Sequence, residues 1–396
     1  RTNLNQQYKN MINLLHGDCL EQMKTLDDNS VDSIVSDPPY GISFMAKKWD
    51  YDVPSVEVWR EAMRVLKPGG HALIACGTRT QHRMVVNIED AGFEIRDVVS
   101  WIYGSGFPKS LNISKAIDKA AGAEREVVGI KVNTYKGRTS GKVTNSMGAY
   151  SSSELDNITA PATDAAKQWD GWGTALKPSS EFFTLCRKPL SEKTIAANVL
   201  KWGTGGINID ACRVETEDSM KSGRHTTGDQ CGDSGYATVN RTEYKQNPQG
   251  RFPANLIHDG SQEVLDLFPE TKSGKGKKVG DSNANSMFAG KGRTGNDDYG
   301  DQGSAARFFY CAKASKKDRD EGNNHPTVKP TSLMAYLCRL ITPTGGIVLD
   351  PYMGSGSTGK AAVREGFSFV GCELDKDYFD IATARVTNEE TYDTSK

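Results

Sequence analysis

Two short stretches of this 396-residue chain carry side chains suited to chemistry, and each directly follows a brief apolar run. Asp37-Pro38-Pro39-Tyr40 brings together a carboxylate, a rigid backbone carbonyl and an aromatic ring, the parts needed to hold a planar amine. Asp350-Pro351-Tyr352-Met353-Gly354-Ser355-Gly356 is a glycine turn of the kind that lets a nucleoside cofactor lie against the backbone. Together they suggest transfer of a group from a cofactor to a base amine. Paired prolines also stop a strand and shape a loop without any chemistry. Here, however, the aspartate sits at a strand tip, Gly41 follows Tyr40, and the aromatic residues Phe44 and Trp49 lie just beyond.

The glycine turn alone says less. Gly354, Gly356 and Gly359 fit the spacing G-x-G-x-x-G, which many nucleotide binders share. The preceding Asp350 is more informative, because a carboxylate repels a pyrophosphate and attracts an ammonium or a sulfonium. That favours S-adenosylmethionine over a dinucleotide.

The elements that must position these tips alternate between strand and helix. Met11 to Leu15, Val31 to Ser36, His71 to Cys76 and Phe93 to Trp101 are strand candidates, with helices expected up to about Leu26, over Val56 to Leu66 and over Thr78 to Ala91. After a long change of pattern the alternation returns. Ser332 to Ile341 is a helix candidate, Ile347 to Leu349 a strand presenting Asp350, Thr358 to Glu365 a helix, Phe367 to Cys372 a strand ending at Glu373, and Asp375 to Ala384 a helix. An α/β fold with a doubly wound, mostly parallel sheet is expected. An acidic residue ending the second strand of such a nucleoside-binding unit takes ribose hydroxyls, which points to Glu373.

Between these halves, stretches near 131 to 153, 215 to 250 and 271 to 305 are rich in Gly, Ser, Thr, Asn and Lys and read as loops. Glu181 to Cys186, Ile207 to Val214, Phe252 to His258 and Arg307 to Lys313 are ordered islands among them. The expected division is 8–103, 104–324 and 325–390, the middle part forming a separate lobe. Residues 101 to 330 hold 32 basic against 27 acidic side chains although the whole chain has a net charge of −1. The middle is therefore the better candidate for meeting phosphates, but a solvated surface explains so small an excess equally well. The cluster Lys272, Lys275, Lys277, Lys278 has the same two readings.

Eight cysteines stand singly with no C-x-x-C pair, and His225, His258 and Cys212 lack ligand spacing, so neither a disulfide framework nor a metal site is expected. No apolar run reaches membrane-spanning length and the polar N-terminus lacks a secretory pattern, so a cytoplasmic protein without a membrane partner is expected.

On Asp37-Pro38-Pro39-Tyr40, the Asp350 to Gly356 turn, Arg64-Val65-Leu66-Lys67-Pro68-Gly69-Gly70 and His325-Pro326-Thr327-Val328-Lys329-Pro330, the chain resembles the amino-methylating DNA methyltransferases of the permuted β order. In that order the catalytic tetrapeptide precedes the cofactor loop and a target-recognition region lies between. Trp172 to Pro178 is similar to phage and prophage members, and Tyr352 replaces their usual Phe while keeping an aromatic floor. The resemblance implies a circularly permuted Rossmann-like fold and methyl transfer from S-adenosylmethionine to adenine N6 of a base flipped out of double-stranded DNA. Asp37, Pro38, Pro39 and Tyr40 would be catalytic. Asp18, Cys19, Thr327, Lys329, Asp350, Tyr352, Gly354, Ser355, Gly356 and Glu373 would hold the cofactor. The alternative for Asp18 is a helix cap and for Lys329 a surface charge, and Trp101 is either core or a wall of the base pocket. A homodimer in a bacterial or phage-infected cell follows by analogy, with or without a restriction endonuclease as partner. Cytosine N4 is the alternative acceptor, although Asp37 rather than serine before Pro-Pro-Tyr leans to adenine. A non-catalytic DNA-binding subunit with a vestigial cofactor pocket, and methylation of RNA or protein, are the alternatives of other classes.

Overall fold

A computed structural model describes residues 11–42, 51–106, 110–132, 155–216, 250–272, 302–313, 315, 318–320 and 322–389. Phe44, Trp49, Phe107, Pro108, His225, Lys275, Lys277 and Lys278 lie outside them.

In chain order the strands are β1 Ile12–His16, β2 Val31–Ser36, β3 Leu66–Gly77, β4 Glu94–Ile102, β5 Val127–Val132, β6 Leu155–Thr159, β7 Ser180–Arg187, β8 Leu256–His258, β9 Glu270–Lys272, β10 Gln302–Ser304, β11 Tyr310–Cys311, β12 Ile347–Asp350 and β13 Ser368–Glu373. The α-helices are α1 Cys19–Met23, α2 Val56–Val65, α3 Gln81–Asp90, α4 Ile113–Ala120, α5 Asp164–Gln168, α6 Ile195–Trp202, α7 Gln262–Leu265, α8 Thr331–Ile341, α9 Ser357–Arg364 and α10 Lys376–Thr387. Nine strands among the described residues form one sheet in the order β1-β13-β12-β2-β3-β7-β4-β8-β11. All neighbours are parallel except β7, which runs antiparallel between β3 and β4. Two separate hairpins pair β5 with β6 and β9 with β10.

Alternation along the strands sends side chains to two cores. Val35, Leu73, Val99, Phe183, Val348 and Phe369 pack with α8, α9 and α10 on one face. Their neighbours Ile34, Ala72, Ile74, Cys186, Leu349 and Val370 pack with α1, α2 and α3 on the other. The result is a helix–sheet–helix sandwich around a mostly parallel sheet, as the alternating sequence pattern predicts.

From β2 the chain winds outward through β3, and from β12 it winds the opposite way through β13. The crevice beyond the C-terminal ends of β2 and β12 is therefore a topological switch point, the place where open α/β sheets bind ligands. Pairing of Val348 with Ser33 and of Leu349 with Ile34 fixes the register there. Asp37 follows β2 and Asp350 ends β12, so the two tips emerge side by side.

Two expectations need correction. Residues 104–324 are not separate from the sheet, because they supply β7, β8 and β11. The apolar run in β7 finds its hydrogen-bonding partners only by inserting between β3 and β4, where Phe183 and Cys186 become fully buried. The strand after α2 also starts earlier than His71. The Lys67 to Gly70 turn is held extended by Gly69 N–H donating to the Lys188 carbonyl and Lys188 N–H donating to the Gly70 carbonyl, at 3.1 and 2.9 Å.

Gly359 gives a direct test of this packing. A Cβ there would sit 2.6 Å from Phe369 Cε1 and 2.7 Å from Val386 Cγ2. Glycine to alanine in a helix ordinarily gains about 1 kcal/mol. Gly359→Ala is expected instead to lose about 1–3 kcal/mol through overpacking, measured by denaturant unfolding.

Candidate active site

The two tips open into one cavity of about 1160 Å³. Asp37, Pro38, Pro39, Tyr40 and Lys329 line it, as do Asp18, Cys19, Thr327, Asp350, Tyr352, Gly354, Ser355 and Glu373. Of the residues expected at the site, only Gly356 is absent from its lining. With φ at 82°, Gly356 opens α9, and a Cβ there would meet Val386 Cγ2 at 2.9 Å and Ala382 Cα at 3.2 Å. Its backbone serves the approach of α10, not the cavity wall.

Asp350 is almost fully buried. Its Oδ1 accepts from the Ser36 hydroxyl at 2.6 Å and from Tyr352 N–H at 3.1 Å. Burial, with the nearby Asp37 charge adding to it, pushes the carboxyl up to about 6 despite these donors. Such a group gains from a cation. Gly354, with φ at 52°, packs against His325, whose ring nitrogen would lie 3.1 Å from an added Cβ. Glu373 stands at the tip of β13, where burial raises its carboxyl and Asp375 N–H donates to Oε1 at 2.8 Å. Asp18 is a helix cap, its Oδ1 accepting from Leu20 and Glu21 N–H at 3.0 and 3.3 Å, and it faces the cavity as well. Cys19 is buried and hydrogen-bonds with the Tyr352 side chain, and its burial pushes the thiol up to about 11, so it lines the site as a neutral group. These residues fit a cationic nucleoside: a buried anion, a close-approach turn and an acid at the second strand tip.

At the other end Asp37 is held on both oxygens. Tyr40 OH donates to Oδ1 at 2.7 Å and Lys329 Nζ donates to Oδ2 at 2.7 Å. Lys329 is not a surface charge, since it is buried with its ammonium on Asp37. Burial alone would lower its pKa, yet the Asp37 and Glu181 carboxylates hold it above the usual lysine range. Tyr40 rests over Gly77, where a Cβ would come within 3.1 Å of the ring, and the Lys329 ammonium is 5.4 Å from its centroid. Trp101 belongs to the buried core and also lines the cavity.

Sequence reasoning missed Glu181. It is the second residue of β7, and its Oε2 accepts from Tyr40 OH at 3.0 Å and from Lys329 Nζ at 3.0 Å. Tyr103 OH donates to its other oxygen at 3.4 Å. No local motif surrounds it, and its partner Tyr40 lies 141 positions away. Only the order of its segment was visible, as one of the islands among the loops.

A family model described as DNA methylase matches residues 31–384. The chain belongs to this DNA methylase family. Among curated proteins it is 32% identical over 83 residues to the type II methyltransferase M.ScaI of Streptomyces caespitosus, covering 21% of this chain and 27% of that protein. It is 34% identical over 87 residues to the type II methyltransferase M2.DpnII of Streptococcus pneumoniae, covering 22% and 32%. The chain thus spans about a third or less of the length of these relatives. A crystal structure of the M1.HpyAVI–SAM complex aligns over 95% of this chain and 99% of that one, at 15% identity and a TM-score of 0.40. The PvuII DNA methyltransferase (cytosine-N4-specific) aligns over 98% and 89%, at 13% identity and a TM-score of 0.43.

The raised Asp350 carboxyl makes a stability prediction. The unfolded chain releases this proton near its ordinary value of 3.8 but the folded protein keeps it to about 6. Folding stability from Asp350 is therefore present below pH 4 and lost as pH rises through 6, by about 3 kcal/mol. Asp350→Asn, whose amide oxygen can still accept from Ser36, should be more stable than the parent at pH 7.5 by about 1–3 kcal/mol. The gain should vanish near pH 4, as read by denaturant unfolding at both values.

Proposed function

We propose that this protein is an S-adenosylmethionine-dependent DNA methyltransferase acting on adenine N6 in double-stranded DNA. The observation that carries this reading is the opening of the Asp37 and Asp350 tips into one cavity at the switch point of the sheet. Asp37 next to Pro-Pro-Tyr favours adenine, and membership of the DNA methylase family supports the substrate class.

When bound, S-adenosylmethionine supplies an electrophilic methyl group on a sulfonium. Asp350 would face that cation, the Gly354 turn would admit the methionine portion, and Glu373 would take the ribose hydroxyls. Asp18 would read the cofactor's adenine amine. Asp37 and the Pro38 carbonyl would accept the two N–H hydrogens of the target amine, turning its nitrogen towards tetrahedral geometry and freeing its lone pair. An aromatic amine is a poor nucleophile, so this orientation is where the catalysis lies. The same acceptors stabilise the positive charge that grows on nitrogen. A base cannot reach this depth while stacked, so it must flip out of the duplex, and the Tyr40 ring would hold it. The 104–324 segment, which carries the basic excess, would meet the DNA.

The test is methylation of a mixed-sequence duplex with labelled cofactor, followed by nucleoside analysis. N6-methyladenine is expected; N4-methylcytosine alone would move the acceptor to cytosine. Asp37→Ala should bind the cofactor with near-parental affinity by calorimetry and transfer methyl about 100-fold more slowly or worse. Unchanged transfer in that variant would remove Asp37 from the mechanism.

A further inference from the structure

Asp37, Tyr40, Lys329 and Glu181 form a cluster of two carboxylates, one ammonium and one hydroxyl at the target end of the cavity. Asp37 and Tyr40 follow β2 and Lys329 lies in the loop before α8, whereas Glu181 comes from the antiparallel strand that the middle segment inserts. Lys329 fixes Asp37 from one side. That arrangement has an electrostatic cost. In methyl transfer the nitrogen lone pair forms the new N–C bond, the C–S electron pair stays with sulfur, and one N–H proton then leaves to water. Until it leaves, the nitrogen carries a positive charge within hydrogen-bond reach of Asp37, and hence close to the Lys329 ammonium. A fixed cation so near opposes the transition state.

We propose that Glu181 is a positioning residue for methyl transfer, the counter-ion that neutralises Lys329 so that the lysine can fix Asp37 without repelling the charge growing on the target amine. The geometry supports this in two ways. Lys329 Nζ lies at similar distances from the two carboxylates, 2.7 Å from Asp37 and 3.0 Å from Glu181, so neither anion holds it alone. Tyr40 OH touches both carboxylates, at 2.7 and 3.0 Å, and ties their positions together. The charges of Glu181 and Lys329 cancel, leaving the Asp37 carboxylate to face the amine.

The inference rests on the methyltransferase reading, and the experiment separates the two. Single-turnover methyl transfer to duplex DNA at saturating cofactor and DNA is compared for the parent, Asp37→Ala, Glu181→Gln, Glu181→Asp and the double variant Glu181→Gln with Lys329→Met. Cofactor affinity by calorimetry reports that each is folded. Glu181→Gln is expected to slow transfer about 10- to 100-fold with cofactor affinity within twofold. Glu181→Asp, which keeps the charge, should stay within fivefold of the parent. The double variant should be faster than Glu181→Gln, because the unopposed cation has gone. A Glu181→Gln rate within twofold of the parent overturns the inference. So does a double variant no faster than Glu181→Gln, or an aspartate variant as slow as the glutamine one. In each of those cases an active parent and an inactive Asp37→Ala leave the methyltransferase reading standing. A parent that methylates no base overturns both.

Discussion

Two carboxylates at adjacent strand tips inside one cavity repel each other, and the site is organised by how each is treated. Asp37 receives a full cation from Lys329 and a hydroxyl from Tyr40. Asp350, deeper and almost without solvent, receives neutral donors from Ser36 and the Tyr352 backbone, and its burial keeps the proton on up to about 6 despite them. One anion is satisfied by the protein and the other is left in want of a positive partner. This asymmetry gives the cavity a direction, with an acceptor end and a cation end, before any ligand enters.

The sheet sustains that arrangement because Asp37 follows, and Asp350 ends, a buried central strand. Every residue of β2 is buried, including Asp32, whose carboxylate accepts from Lys67 Nζ and from Ile347 N–H at 2.5 and 2.8 Å. The second of these bonds crosses from β2 to the first residue of β12. Ser33 and Thr342 share a further buried hydrogen bond at 2.8 Å. The pairing of the two central strands is thus pinned at its base by side chains as well as along its length by backbone. A slip of one residue would send Ser36 to the opposite face of the sheet and remove its hydroxyl from Asp350.

Much of this was legible locally. Asp37 and Asp350 announce themselves because proline and glycine follow them at once, and such residues mark where a strand must stop. The parallel sheet was legible because strand and helix alternate at both ends of the chain. What stayed hidden depends on distance in sequence. Lys329 could be placed near the site only by resemblance, and its partner Asp37 is 292 positions away. Glu181 carried no mark at all, since the residues around it read only as an ordered island. The helices α4 and α6 went unread because they are eight residues each and lie among Gly, Ser and Asn-rich sequence whose composition argues for loops. The separate-lobe expectation failed for a related reason: composition describes a segment on average, whereas one eight-residue strand carrying Phe182, Phe183, Leu185 and Cys186 is enough to join a sheet.

The insertion of β7 has a consequence for how proteins of this architecture diversify. Because that strand is zipped on both sides, by β3 and by β4, the middle segment cannot be exchanged as a cassette cut at its two ends without unzipping the sheet. Shuffling that preserves the fold must make its joins within the intervening loops, leaving β7 and the glutamate at its tip with the host. Wherever those joins fall, the Glu181 carboxylate that pairs with Lys329 is inherited with the scaffold.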